Sequence, residues 1–147
     1  MGLFDGLFGN SEANKPFGPQ EGFAGVLLGA SACDGHIADE EVQSLFTMLS
    51  RMKMYQRYTE KNWSTLMNRL LGLLKRKGVD ELLDKSADAV PPELRATAFT
   101  NACDIVLADG VVEDDEKEFL HKLQAKLDLP DDDAMNIVQV MIVKNKG

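Results

Sequence analysis

Apolar positions recur at helical spacing along the chain from Glu21 onward. Phe23, Val26, Leu27 and Ala30 share one face of a first helix, and Leu45, Met48, Leu49 and Met52 share one face of a second. Separations of three and four residues stack side chains on a 3.6-residue turn. Trp63, Leu66, Met67, Leu70, Leu71 and Leu74 mark a third helix. It closes on Lys75, Arg76 and Lys77, cations suited to a helix C-terminus, and then on Gly78, a cap residue. We read the three cations as a solvated helix end. A shorter helix is expected over Asp80–Ala89, where Pro91 and Pro92 stop it. Pro92 suits the first turn of a fifth helix carrying Leu94, Phe99, Cys103 and Val106. A sixth carries Phe119, Leu120, Leu123 and Leu127. A seventh begins near Asp131, where three aspartates suit the N-terminus, and uses Met135, Val138, Met141 and Ile142. Strand-like alternation is missing. The pattern predicts an all-α fold, a compact bundle of about seven helices.

Residues 1–20 break the pattern. Gly2, Gly6, Gly9, Pro16, Gly18 and Pro19 punctuate them, with Asn10, Ser11 and Asn14 between. This reads as a flexible leader ahead of a helical domain over residues 21–147. Leu3, Phe4, Leu7 and Phe8 make one short amphipathic patch, enough for weak membrane contact or a docking turn. Gly6 stands where a myristoylation signal needs Ser or Thr.

Composition narrows the function classes. The chain has 147 residues, 44% hydrophobic and 27% charged, with a formal net charge of -8. That length and balance suit one domain with one core. The negative charge disfavours nucleic acid and anionic lipid and favours cations and basic partners. Cys33 and Cys103 lie in apolar stretches and are expected as buried thiols rather than a disulfide, with no secretory signal ahead of them. No apolar run approaches the ~20 residues of a membrane span. A cytoplasmic protein is expected, peripheral at the inner membrane face if the leader touches lipid. The methionines Met48, Met52, Met54, Met135 and Met141 read mainly as core filler, with an exposed methionine groove as the alternative.

One segment occurs twice. Ala32-Cys33-Asp34-Gly35-His36-Ile37-Ala38-Asp39-Glu40-Glu41 matches Leu107-Ala108-Asp109-Gly110-Val111-Val112-Glu113-Asp114-Asp115-Glu116. Asp34 pairs with Asp109, Gly35 with Gly110, Ile37 with Val112, Asp39 with Asp114 and Glu41 with Glu116. The match runs on into the next helix, Leu45 with Leu120, Met48 with Leu123 and Met52 with Leu127. Each unit is helix, Asp-Gly turn, helix. Two such units are expected to pack about a pseudo-twofold axis with the turns close together.

Two readings of the turns compete. In one, glycine allows a positive φ at the corner, Ile37 or Val112 pins it to the core, and Glu41 or Glu116 reaches back to cap the next helix. Ala38 and Glu113 hold the position where Ser or Thr would complete that box, so it is expected to be half-formed. In the other, the turns bind metal. Asp-Gly followed by Ile or Val and then Glu matches the second half of an EF-hand loop. Ala30 and Ala32, or Ile105 and Leu107, stand where the first ligands would be, so neither turn makes a full cage. Facing turns would instead offer Asp34, Glu41, Asp109 and Glu116 to shared cations. Oxygen-only donors point to Ca²⁺ or Mg²⁺. His36 reads as a solvated loop histidine before it reads as a ligand. Paired carboxylates can also serve acid–base chemistry. The chain shows no phosphate loop, nucleophile motif or zinc spacing beside them, so we expect no enzyme.

The paired turns Asp34-Gly35…Glu41 and Asp109-Gly110…Asp114-Asp115-Glu116-Lys117 resemble those of the TerB family of bacterial tellurite-resistance proteins. The leader Met1–Gly9 and Glu21-Gly22 are similar too, whereas residues 55–92 carry little of the likeness. The resemblance implies a bundle of about seven helices with a clustered acidic surface that binds metal. It implies a cytoplasmic, non-enzymatic module of a tellurite or chemical-stress response, working with a membrane protein of the same system. The alternative it leaves is an adaptor domain with no metal function. The site residues carried over are Asp34, Glu41, Asp109 and Glu116, with Asp39, Asp114 and Asp104 as weaker candidates. Asp104 faces Gly29 in the repeat alignment, which breaks the twofold there. Direct tellurite binding at the turns is not expected, because an oxyanion seeks N–H donors or cations and carboxylates crowd both sites.

Overall fold

A computed structural model describes residues 15–33, 37–108 and 110–147. Among them are seven α-helices and no strand: α1 Pro19–Ser31, α2 Asp39–Ser50, α3 Glu60–Lys77, α4 Val79–Ala89, α5 Arg95–Val106, α6 Asp114–Lys126 and α7 Asp131–Lys144. Single 3₁₀ turns occupy Lys53–Tyr55 and Pro92–Leu94, the second leading directly into α5. Thr59 starts α3 with a reciprocal cap, its Oγ accepting from Asn62 N–H at 3.1 Å while Asn62 Oδ1 accepts from Thr59 N–H at 2.9 Å. Gly78, at φ +90, turns the chain from α3 into α4.

The first helix is the axle of the bundle. It packs against α2, α3, α4 and α5. All nine residues from Gly22 to Ala30 are buried, not only the face marked by Phe23, Val26, Leu27 and Ala30. A helix enclosed on every side shows no polar face, so its periodicity understates its burial. Where α1 crosses α4, glycine makes the contact possible. A Cβ on Gly22 would lie 2.8 Å from Ala89 Cβ and 2.8 Å from the Ser86 carbonyl oxygen.

The start of α1 is also held. Pro19 and Gln20 belong to the helix although their composition resembles the leader. Phe17 packs against the core, with the Arg69 guanidinium 4.7 Å from its ring centre. Arg69 also bonds the Lys15 carbonyl and pairs with Glu21 at 3.6 Å. The amphipathic patch Leu3, Phe4, Leu7 and Phe8 lies outside the described residues.

The outermost helix departs from the expected core stripe. In α7 the buried residue is Ala134, with Ile137, Val138 and Met141 half-buried. Met135 is 58% exposed and Ile142 50%, and Val140 and Val143 are exposed as well. Apolar residues almost encircle this helix, so spacing alone cannot select the face that packs. The choice falls to α5, against which α7 lies.

Candidate functional site: the two acidic turns

Each turn hangs between a buried helix and an acid-capped one. The first unit leaves α1 at Ser31, with the Ala32 N–H bonded to the Leu28 carbonyl at 3.0 Å. Asp34, Gly35 and His36 lie outside the described residues. The chain resumes at Ile37, half-buried against the core. Helix α2 then opens with Asp39, Glu40 and Glu41 in its first turn. The second unit leaves α5 at Val106, with Leu107 N–H on the Cys103 carbonyl at 2.8 Å. Asp109 lies outside the described residues. Gly110 has φ +77, the left-handed corner that glycine suits, and its N–H bonds the Leu107 carbonyl at 3.0 Å. Val112 packs against the core as Ile37 does. Helix α6 opens with Asp114, Asp115 and Glu116. The acidic first turns oppose the positive helix N-termini and stabilise them.

The carboxylates do not share one role. Glu116 Oε1 accepts the Glu113 N–H at 2.9 Å, the reach-back half of a capping box. Among the described residues Glu41 makes no such bond, although Ala38 occupies the equivalent cap. Asp114, fully in solvent, faces the exposed Lys117 at 4.0 Å. Asp104 turns to the C-terminal helix instead. It accepts from Lys144 Nζ at 2.9 Å and Asn145 Nδ2 at 3.1 Å. Partial burial works to raise its pKa, but the Lys144 and Asn145 bonds outweigh it and hold the carboxyl below its ordinary range.

The two units meet at the helix ends that flank these turns. Helices α1 and α5, which feed them, pack against each other. A cavity of about 420 Å³ opens there, lined by Ser31, Glu40, Glu41 and Ser44 from the first unit and Ile105 and Ala108 from the second. Glu41 therefore shares a cavity with the residues that lead into Asp109. Glu40, Ser31 and Ser44 were not among the expected site residues. Glu40 is a carboxylate at the position of Asp115 in the repeat, which is the signal that could have marked it. The hydroxyls carry no comparable signal. Among the described residues, no three Asp, Glu, His or Cys side chains gather closely enough to hold a metal. The donors present are carboxylate and hydroxyl oxygens, which suit a hard cation.

The thiols are differently placed. Neither is in a disulfide; Cys103 is buried and Cys33 half-buried beside the first turn. Burial, with Asp104 adding to it, pushes the Cys103 thiol up to about 12.

The family model described as tellurite resistance protein TerB matches residues 20–139. The chain belongs to the TerB family. That match spans both acidic turns and all seven helices except Pro19 of α1 and the last residues of α7. No curated protein and no solved structure matches the chain. As a TerB domain it is an all-helical bundle, and no helix among its described residues is long and apolar enough to cross a membrane.

Proposed function

We propose that this TerB domain is a non-enzymatic, divalent-cation-binding module of a tellurite and chemical-stress response. The observation that carries the reading is the cavity shared by Glu40 and Glu41 with Ile105 and Ala108, because it brings the first acidic helix start beside the approach to the second turn. Glu41 and Asp39 bring carboxylates with no ion pair among the described residues. Glu116 keeps one oxygen beyond its cap bond. Asp34 and Asp109 complete the proposed donor set. Asp104 and Asp114 take lesser parts, since each already faces a lysine. A Ca²⁺ or Mg²⁺ ion fits oxygen donors of this kind, and its charge relieves the repulsion between clustered carboxylates. The domain then acts through a protein partner, with a membrane protein of the same system as the expected one, and its place is the cytoplasm.

The test is thermal unfolding of chelator-stripped protein with and without Ca²⁺, Mg²⁺, Mn²⁺ and Zn²⁺. A ligand that binds only the folded state at a hundredfold excess over its Kd adds about 2.7 kcal/mol. We expect one hard cation to raise Tm in the wild type, and less or not at all in Asp34→Asn/Asp109→Asn and in Glu41→Gln. Equal responses in wild type and variants would sink the metal reading and leave the turns as helix caps.

A further inference from the structure

A second cavity lies on the far side of the second unit. It has a volume of about 490 Å³ and runs between α6 and α7. Phe99, Leu107, Val112, Leu120, Val138 and Ile142 form its apolar walls, and Met135 sits on its edge, 58% exposed. Helix α7 supplies the open side. Met135, Val138 and Ile142 follow one another at helical spacing along it and line the cavity together with Phe99 of α5. Soluble helices that are apolar almost all round are normally covered on more than one side. An apolar groove between two helices, with a methionine at its rim, has the form that receives the apolar face of another helix.

Charge selects the occupant. At one end the groove is bounded by Asp131, with Asp132 and Asp133 exposed beside it in the first turn of α7. Lys117 and His121 lie on the α6 wall, and Lys117 already faces Asp114 at 4.0 Å. The whole chain carries -8. A second copy would bring the same negative charge to the same groove, and anionic lipid or nucleic acid would be repelled likewise. A cationic amphipathic helix is attracted by the exposed aspartates at that end and by the molecule as a whole.

We propose that the α6–α7 groove is the docking site for an amphipathic helix of a partner protein, apolar on one face and flanked by lysine or arginine. This surface is distinct from the acidic cavity between the units, and the inference stands whether or not a cation binds there.

The experiment uses the full chain without added divalent cation, so that its outcome is independent of the metal test. A fluorescently labelled synthetic peptide with leucine and phenylalanine at i, i+3, i+4 and i+7 and lysines on its flanks is titrated by anisotropy. The same apolar peptide with glutamate flanks is the comparison. We expect saturable binding of the lysine peptide that weakens with salt, and binding of the glutamate peptide weaker by about tenfold or more. Ile142→Asp and Met135→Asp should each weaken the lysine peptide by a similar factor. Val140→Asp, equally exposed but outside the groove, should leave it unchanged. Helical circular dichroism of each variant establishes that it is folded. The proposal is overturned if the two peptides bind alike, if Val140→Asp matters as much as Ile142→Asp, or if neither peptide binds. Dimerisation abolished by Ile142→Asp would assign the groove to a second copy instead. Binding seen only after removal of residues 1–14 would assign it to that segment of the chain.

Discussion

Adding one methyl group at Gly25 tests the packing of the axle helix directly. Its Cβ would overlap Ser86 Oγ, lie 2.8 Å from Ser86 Cβ and stand 3.4 Å from Leu70 Cδ2. The hydroxyl can rotate away, but the Cβ cannot, so α1 and α4 must separate by several tenths of an ångström. Overpacking of this kind costs about 1–3 kcal/mol. Replacing glycine by alanine inside a helix returns about 1 kcal/mol. We therefore expect Gly25→Ala to destabilise by up to about 2 kcal/mol, a fall in Tm of up to several degrees at roughly 2–4 °C per kcal/mol for a domain of this size. Ser86→Ala removes the overlapping oxygen and should recover part of that loss in the double variant. Gly22→Ala should be worse and unrecoverable by Ser86→Ala, because it meets the Ser86 carbonyl and the Ala89 backbone. Gly29→Ala should go the other way. Its nearest neighbours are Phe119 Cε1 at 3.7 Å and Leu83 Cδ1 at 3.8 Å, ordinary contacts, so the helix-propensity gain of up to about 1 kcal/mol survives. Urea unfolding followed by circular dichroism measures all four. If Gly25→Ala is more stable than wild type, the close α1–α4 crossing is refuted.

Further tests follow from individual side chains. Ser86 Oγ is buried with no hydrogen-bond partner among the described residues, so Ser86→Ala alone should stabilise by about 1 kcal/mol in the same assay. Asp104 has a lowered pKa, so its contribution is present above the ordinary carboxylate pKa and is lost as pH falls through the lower folded value. Its side chain and that of Lys144 are partly in solvent, so Asp104→Asn should cost only about 0.5 kcal/mol at neutral pH, and the difference from wild type should vanish in acid. A difference that persists at low pH would contradict the pairing. Cys103 and Tyr58 are raised by burial, each to about 12, so their contributions are complete below the ordinary thiol and phenol ranges and disappear as pH climbs towards 12. Alkaline unfolding should therefore set in across that window, and Cys103→Ala should blunt it. The folded protein should also resist thiol reagents at Cys103 at neutral pH, as mass spectrometry of alkylated protein would reveal.

Much of the architecture was readable in the apolar spacing, and the places where reading failed have physical causes. Helix α3 shows a clear polar face, so Trp63, Leu66, Met67 and Leu70 of its expected stripe are buried, while in its last turns Leu73 is buried and the expected Leu71 and Leu74 only half-buried; its basic end and Gly78 marked its close. Helices α1 and α7 lack such a face. The first is buried all round and the last is apolar all round, so periodicity misjudged the burial of one and the packing side of the other. The matched segments show in the helix starts, since α2 and α6 begin at the paired residues Asp39 and Asp114, each with an acidic first turn. Whether a carboxylate caps, pairs or stays open depends on neighbours distant in sequence. Asp104 is engaged by Lys144 and Asn145 from α7, and no local pattern announces that. The cavity formed by Glu40 and Glu41 with Ile105 and Ala108 is likewise a product of the α1–α5 contact.

The aromatic cluster at the α2–α3 junction has an optical consequence. Trp63 is the only tryptophan, and both tyrosines of the chain lie against it, Tyr55 at 4.9 Å and Tyr58 at 5.0 Å between ring centres, with Phe46 at 4.6 Å. At such separations excitation absorbed by tyrosine passes to the indole before it can be emitted. The folded protein should therefore glow almost purely as tryptophan, and a separate tyrosine band should emerge only when this junction opens. Because α5, α6 and α7 carry neither tyrosine nor tryptophan, the same light is silent about the second turn and the C-terminal groove. A single tryptophan placed by mutation on α7 would give that half of the molecule its own colour, and the two halves could then be watched separately as they unfold.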